Sequence, residues 1–205
     1  MSELKKIPIK LKTEHSNVKK DSIEKPIKLI IEKPIKPIKL IKPKTFTKHF
    51  KQLFTNQEAT NLFDYLKNNV KWQNSIYSSK AKQITRLGKS VSINNDHMIK
   101  WSITEAIDRM KLDNYIICQT YVNYYRNGED FAPNHSHPDT VQLIISLNEP
   151  DGDRILNVGK NAYYLNNGDT IIFGSSTHGV PKQPNKKARI SVATFMVLKE
   201  HIAHK

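Results

Sequence analysis

The chain has one cysteine in 205 residues, Cys118, so no disulfide framework can form within it, and a reducing compartment is expected. Cys118 lies in an apolar run and reads as a buried small hydrophobe. No run approaches the ~20 apolar residues of a membrane-spanning helix. The first residues alternate lysine with isoleucine and lack the continuous apolar core of a signal peptide. These absences predict a soluble, intracellular protein, cytoplasmic or nuclear, with no membrane partner. Acids are also scarce: 19 Asp and Glu stand against 33 Lys and Arg, a formal net charge of +14. That balance draws a chain towards polyanions, of which nucleic acid (DNA or RNA) is the commonest. The competing reading is a lysine-rich solvated surface.

Residues 1–45 contain no aromatic and no glycine, yet hold five of the ten prolines. Residues 1–46 carry 13 lysines against 5 acids, so +8 of the net charge lies there. The segment repeats itself: Glu24-Lys-Pro-Ile-Lys-Leu-Ile30, Glu32-Lys-Pro-Ile35, then Lys36-Pro-Ile-Lys-Leu-Ile-Lys-Pro43. Prolines at this density forbid a helix, since each lacks an N–H and restricts its predecessor. A disordered, extended basic tail is expected, either a binding arm or a solubilising extension.

A domain spanning 46–205 follows. Thr55-x-x-Glu58 is a capping box leading into Ala59, Leu62, Phe63, Leu66 and Val70 at helical spacing. Ser102-x-x-Glu105 repeats the pattern before Ala106, Ile107 and Met110. From Tyr115 the period changes to that of strands, predicted at 115–125, 141–147, 154–158, 162–165, 169–173 and 189–198. Asn127-Gly128, Asp151-Gly152, Asn167-Gly168 and Pro184-Asn185 punctuate them. The fold class expected is mainly β with flanking helices (α+β), a jelly roll or double-stranded β-helix. Trp72 and Trp101 read as core. His15, His49, His97, His201 and His204 have no partner in sequence and read as exposed.

The chemistry concentrates in Asn134-His135-Ser136-His137-Pro138-Asp139, in His178 and in Arg189. His137-x-Asp139 puts an imidazole and a carboxylate on one side of a strand. A distant histidine, His178, completes two His and one carboxylate. That set holds non-haem Fe(II) on one face and leaves positions open for other ligands. His178 follows the apolar strand Thr170-Ile-Ile-Phe173. Arg189 opens the last strand, and an arginine facing a β core needs an anion. A carboxylate of 2-oxoglutarate would serve, bound bidentately. Otherwise Arg189 sits at the rim and meets water.

Over residues 46–198 the chain resembles the AlkB-like Fe(II)/2-oxoglutarate dioxygenases. Asn123-Tyr-Tyr-Arg-Asn-Gly-Glu-Asp130 is similar to the family's Asn-x-Tyr-x-x-Gly-x-Asp strand and turn. This implies that Asn123 and Tyr125 bind 2-oxoglutarate. Gly168-Asp169, Thr177-His178-Gly-Val-Pro181 and Arg189-Ile-Ser-Val-Ala-Thr194 resemble the strands carrying the distal histidine and the closing arginine. Thr85-Arg86-Leu-Gly88 resembles the substrate lid, making Arg86 a substrate-binding candidate. The resemblance implies hydroxylation of a C–H bond, with demethylation of N-alkylated bases in DNA or RNA, and hence repair or demodification. It also implies Fe(II) and 2-oxoglutarate as cofactors. The sequence does not set the oligomeric state, and a monomer is the expectation.

The chain departs from the family pattern at three places. Counted from Asn123, the family spacing favours His135 as first ligand and puts His137 where the acid belongs. The pair His137 and Asp139 instead supplies a carboxylate. His137, Asp139 and His178 are therefore the expected ligands and catalytic centre, with His135 either the alternative first ligand or beside the substrate. Phe195 stands where the family often has a second arginine. The lid lacks the usual aromatic and acidic residues after Arg86. Two other readings stay open: a dioxygenase of protein side chains, and a catalytically dead jelly roll acting as a basic nucleic-acid-binding protein.

Overall fold

The computed structural model describes residues 45–75 and 88–201. The basic tail, His15, Arg86 and His204 therefore lie outside the described residues. In chain order the elements are β1 (Thr47–Phe50), α1 (Asn56–Asn69), β2 (Gln73–Asn74), β3 (Lys89–Ser92), α2 (His97–Met110) and β4 (Tyr115–Tyr125). They continue with β5 (Ala132–His135), β6 (Val141–Asn148), β7 (Arg154–Val158), β8 (Asn161–Leu165), β9 (Thr170–Phe173), β10 (His178–Val180) and β11 (Arg189–Leu198), and close on a 3-10 turn at Lys199–His201.

The strands form two antiparallel sheets. The larger runs β1-β9-β6-β11-β4-β3-β2, the smaller β5-β10-β7-β8. Strand alternation decides what lies between them. In β6, Val141, Leu143, Ile145 and Leu147 join Leu62, Phe63, Leu66, Ile99 and Ile103 of the helices in one core. Ile144 of the same strand faces the other way, into a second core with Phe173, Ala193, Leu156 and Val158. Helices thus cover the outer face of the large sheet, and the small sheet covers its inner face. This is the jelly-roll fold expected from the run of short strands.

The helix starts show how local chemistry sets boundaries. Thr55 caps α1 as a capping box: its hydroxyl accepts from Glu58 N–H (3.2 Å) and the Glu58 carboxylate accepts from Thr55 N–H (2.8 Å). Arg109 of α2 donates to the same carboxylate at 2.7 Å. That bond, then the Thr55 amide, holds Glu58 down at about pKa 2. The second helix begins earlier than its Ser102-x-x-Glu105 pattern predicts. Asp96 caps it, accepting from Met98 and Ile99 N–H at 2.9 and 3.1 Å. Ser102 lies buried inside the helix and donates back to Ile99 C=O (2.9 Å).

Other expectations shift too. Cys118 is exposed, in the outer half of β4 beside Ile117. His49 is half-buried, and its Nε2 lies 3.0 Å from the buried Asp169 carboxylate. His97 is exposed, while Trp72 and Trp101 pack against the helix-side core. Five short strands, β1, β2, β3, β5 and β10, fall outside the predicted set. No helix among the described residues is long and apolar enough to cross a membrane.

Candidate metal and co-substrate site

The inner face of the large sheet opens into a cavity of about 220 Å³. Inward positions of three adjacent strands line it: Tyr121, Asn123 and Tyr125 from β4, Arg189, Ser191, Ala193 and Phe195 from β11, and Gln142 and Ile144 from β6. The pairing explains the grouping. Ser191 stands opposite Asn123 and Ser146, and Arg189 opposite Tyr125 and Asn148. Polar side chains thus occupy the end of the inner face where β11 begins.

The small sheet supplies the histidines. His178 pairs directly with His135 across β10 and β5, so both side chains stand on one face. Their ring centroids are 4.3 Å apart. His137, two residues past His135, keeps the same side, with its ring 5.0 Å from His135 and 5.5 Å from His178. One ligand atom from each of the three lies within 4.8 Å of the others. Gly179 lets the two strands approach this closely: a Cβ there would stand 2.5 Å from Asn134 Oδ1 and 2.9 Å from Ala132 C=O.

Hydrogen bonds fix how two of these rings present themselves. His135 Nδ1 lies 2.7 Å from Pro133 C=O, and His178 Nδ1 lies 3.0 Å from Ser176 C=O. A carbonyl only accepts, so each Nδ1 carries the proton and each Nε2 keeps a free lone pair. Burial pushes His178 down to about pKa 4, with the neighbouring histidines adding to the fall. Burial, then His135, also lowers His137. Both rings are therefore neutral near pH 7, the state a metal ligand needs. Three imidazoles on one face suit iron, zinc, copper or nickel, so the donor set fits a first-row divalent metal.

Asp139 is not in this set. It lies on the turn after β5 with φ of 63°, a left-handed conformation, and is half-buried. The convergence is therefore of His135, His137 and His178, where the sequence pairing of His137 with Asp139 would have supplied a carboxylate. The strand period explains the difference. His135 belongs to β5 and is pinned opposite His178, whereas the left-handed turn interrupts the alternation that His137-x-Asp139 relied on.

Arg189 is fully buried at the head of β11. Its Nε and Nη1 have no hydrogen-bond partner, and burial pushes its pKa down to about 10. The other buried arginine, Arg154, donates to the backbone carbonyls of Asn127, Asp130 and Pro181 at 2.6–2.9 Å. Arg189 has no comparable set. Arg189 lines the cavity, and its orphaned guanidinium donors call for an anionic partner. Tyr125 lies beside it, with its ring centre 5.9 Å from the guanidinium carbon. Asn123 lines the same cavity.

Sequence reasoning did not single out Gln142. It is 1% exposed, lines this cavity, and its Nε2 is unpartnered. The available signal was a lone amide at an inward position of an otherwise apolar strand.

No family model matches the sequence, and no curated protein does. Solved structures do match, at low identity. A prolyl-4-hydroxylase from Pseudomonas putida is 13% identical with a TM-score of 0.56, over 76% of this chain and 94% of that one. A prolyl hydroxylase from Trichoplax adhaerens, in complex with a peptide fragment of hypoxia inducible factor, is 15% identical with a TM-score of 0.55, over 78% and 86%. HygX from Streptomyces hygroscopicus, with nickel and 2-oxoglutarate bound, is 8% identical with a TM-score of 0.57, over 75% and 83%. The chain shares its fold with these three proteins.

Proposed function

We propose that the chain is a 2-oxoglutarate-dependent non-haem Fe(II) oxygenase, an oxidoreductase that hydroxylates a C–H bond. The observation that carries this reading is one cavity holding three convergent imidazoles and a buried arginine whose Nε and Nη1 are unpartnered. His135, His137 and His178 would hold the metal. Arg189, with Asn123 and Tyr125, would hold the 2-oxo diacid. When bound, metal and co-substrate together supply the oxidising chemistry with dioxygen.

The chain's own residues do the positioning. The Pro133 and Ser176 carbonyls keep the Nδ1 protons of His135 and His178, so Nε2 is the donor in each. Arg189 offers its unpaired Nε and Nη1 donors to a carboxylate from a buried position. The Phe195 ring stands 4.8 Å from His137 and the Phe173 ring 5.0 Å from His178, an apolar wall beside the ligands.

For the substrate, an N-alkylated base in nucleic acid is supported by the AlkB-like run 123–130 and the +14 charge. A duplex base would first have to leave the stack, at a few kcal/mol. Hydroxylation of its N-methyl carbon then releases formaldehyde. A second reading, a protein side chain as target, is favoured by the prolyl hydroxylases among the matching structures, one of which holds a peptide. The test is product analysis after incubation with Fe(II), 2-oxoglutarate, and either methylated oligonucleotides or proline-containing peptides. Formaldehyde and a demethylated base support the first reading; an added oxygen atom on the peptide selects the second. Fe(II)-loaded protein with no affinity for 2-oxoglutarate would sink both.

A further inference from the structure

Gln142 is a polar residue inside a core, with no partner for its amide nitrogen. Its relative exposure is 1%, and Nε2 makes no hydrogen bond. A buried amide donor left unpaired costs on the order of 1–3 kcal/mol, so such groups call for an explanation. Packing does not supply one. The neighbouring inward position of β6 is Ile144, which joins the inter-sheet core. An aliphatic residue at 142 would satisfy the same alternation.

The pairing register places Gln142 between two aromatic residues. Phe195 of β11 stands opposite it on one side and Phe173 of β9 on the other. Directly paired residues share a face. Phe195 contacts the His137 ring and Phe173 the His178 ring, at 4.8 and 5.0 Å between centroids. Gln142 therefore occupies the row of the large sheet that abuts the histidine cluster. Arg189 lies three inward positions away along β11, in the row of Tyr125 and Asn148. The one cavity thus has a cationic donor at one end and a neutral amide donor at the metal end, and each has unpaired N–H groups.

We propose that Gln142 is a positioning residue whose Nε2–H donates to a carboxylate oxygen at the metal end of the bound 2-oxo diacid, while Arg189 takes the far carboxylate. The inference rests on the oxygenase reading given above and adds a residue to it. A dicarboxylate has two anionic ends, and Arg189 can neutralise one. Phe195 and Phe173 offer nothing polar to the other, and Gln142 between them lines the cavity with an unpaired donor to give. An uncharged donor orients the carboxylate without competing with the metal for its charge.

The test uses the full chain loaded anaerobically with Fe(II), and titration calorimetry with 2-oxoglutarate. Gln142→Leu removes the donor at similar size. We expect 2-oxoglutarate affinity to fall roughly 10- to 100-fold, the loss of a hydrogen bond to a charged group. Bound iron should be unchanged, and the melting temperature of the metal-free protein should stay the same or rise, because an unpaired buried amide is gone. A purely structural glutamine would give the reverse, with lower melting and intact affinity. Gln142→Glu, which sets a carboxylate against a carboxylate, should weaken binding further. If the leucine variant fails to fold, Gln142→Met, unbranched and of similar length, takes its place. Unchanged 2-oxoglutarate affinity in folded Leu or Met variants overturns the role of Gln142 and leaves the oxygenase reading standing. Absence of binding in the wild type overturns that reading itself.

Discussion

Arg189→Met should make the metal-free protein more stable and remove most of its response to 2-oxoglutarate. The guanidinium is fully buried, with Nε and Nη1 unpaired, and burial pushes its pKa from 12.5 to about 10. A displacement of that size corresponds to about 3 kcal/mol spent on keeping the charge in the empty cavity. Methionine has a similar unbranched stem and no charge, and replacing a buried charge by an apolar side chain is often neutral or stabilising. For a domain of this size each kcal/mol moves the melting temperature by ~2–4 °C, so a rise of several degrees is expected. The ligand response should move the other way. Removing one partner of a buried charge pair costs ~2–5 kcal/mol, or from tens to thousands of fold in affinity. The assay is thermal melting with and without 2-oxoglutarate, on metal-loaded and metal-free protein. Wild type at a hundredfold excess over Kd should gain ~2.7 kcal/mol of stability from the ligand, and the variant less than ~1 kcal/mol. A variant that melts lower than wild type yet keeps its ligand shift would refute the reasoning, because Arg189 would then be a structural group with an unseen partner.

Three further outcomes follow from the site. Iron bound per chain, measured after anaerobic loading and desalting, should drop sharply in His135→Ala, His137→Ala and His178→Ala and stay near wild type in Asp139→Ala; loss of iron in Asp139→Ala would restore the carboxylate to the ligand set. Gly179→Ala should weaken metal binding without touching a ligand, since its Cβ would collide with Asn134 and part β5 from β10; unchanged metal affinity would show that the strand spacing is not what sets the site. His178 has its pKa lowered to about 4 in the fold, against 6.5 for an ordinary histidine. Between those values the unfolded chain binds the extra proton, so stability present above pH 6.5 is lost as pH falls towards 4, by about 3 kcal/mol. His178→Asn should flatten that stretch of the stability curve of the metal-free protein, and an unchanged slope would assign the acid loss to other groups.

The long elements were legible in the sequence because their periodicity is strong. The strands expected at 115–125, 154–158 and 189–198 have the bounds of β4, β7 and β11. The strands that carry the site were harder to read. β5 contains Pro133, which reads as a break, and it survives because it is an edge strand of the small sheet. β10 is three residues long and includes Gly179, so no periodic signal marks it. The start of α2 was misplaced because Ser102 and Glu105 imitate a cap, while Asp96 is the residue whose carboxylate meets free N–H groups. Arg189 and the histidines could be picked out by residue type. Which histidines converge depends on the register between β5 and β10, a long-range pairing that no local pattern encodes.

The charge of the cavity links these points. Among the described residues lining it there is no acidic side chain, and its fixed charge is the Arg189 guanidinium. A two-histidine, one-carboxylate set would cancel one unit of a divalent metal's charge, whereas His135, His137 and His178 cancel none. Metal and Arg189 together would then place three positive charges in a low-dielectric space, which is unfavourable until an anion enters. A diacid carrying two negative charges, with one end at Arg189 and the other at the metal, compensates both in a single binding event. Metal and co-substrate should therefore bind with strong mutual dependence, each raising the affinity of the other by the same factor, as reciprocity requires. Replacing His137 with aspartate would relieve part of that dependence. The sign of the change can be read directly, as metal affinity measured with and without 2-oxoglutarate: the ratio should shrink in His137→Asp. A ratio that grows or stays constant would mean that the all-histidine set does not govern the electrostatics of the site.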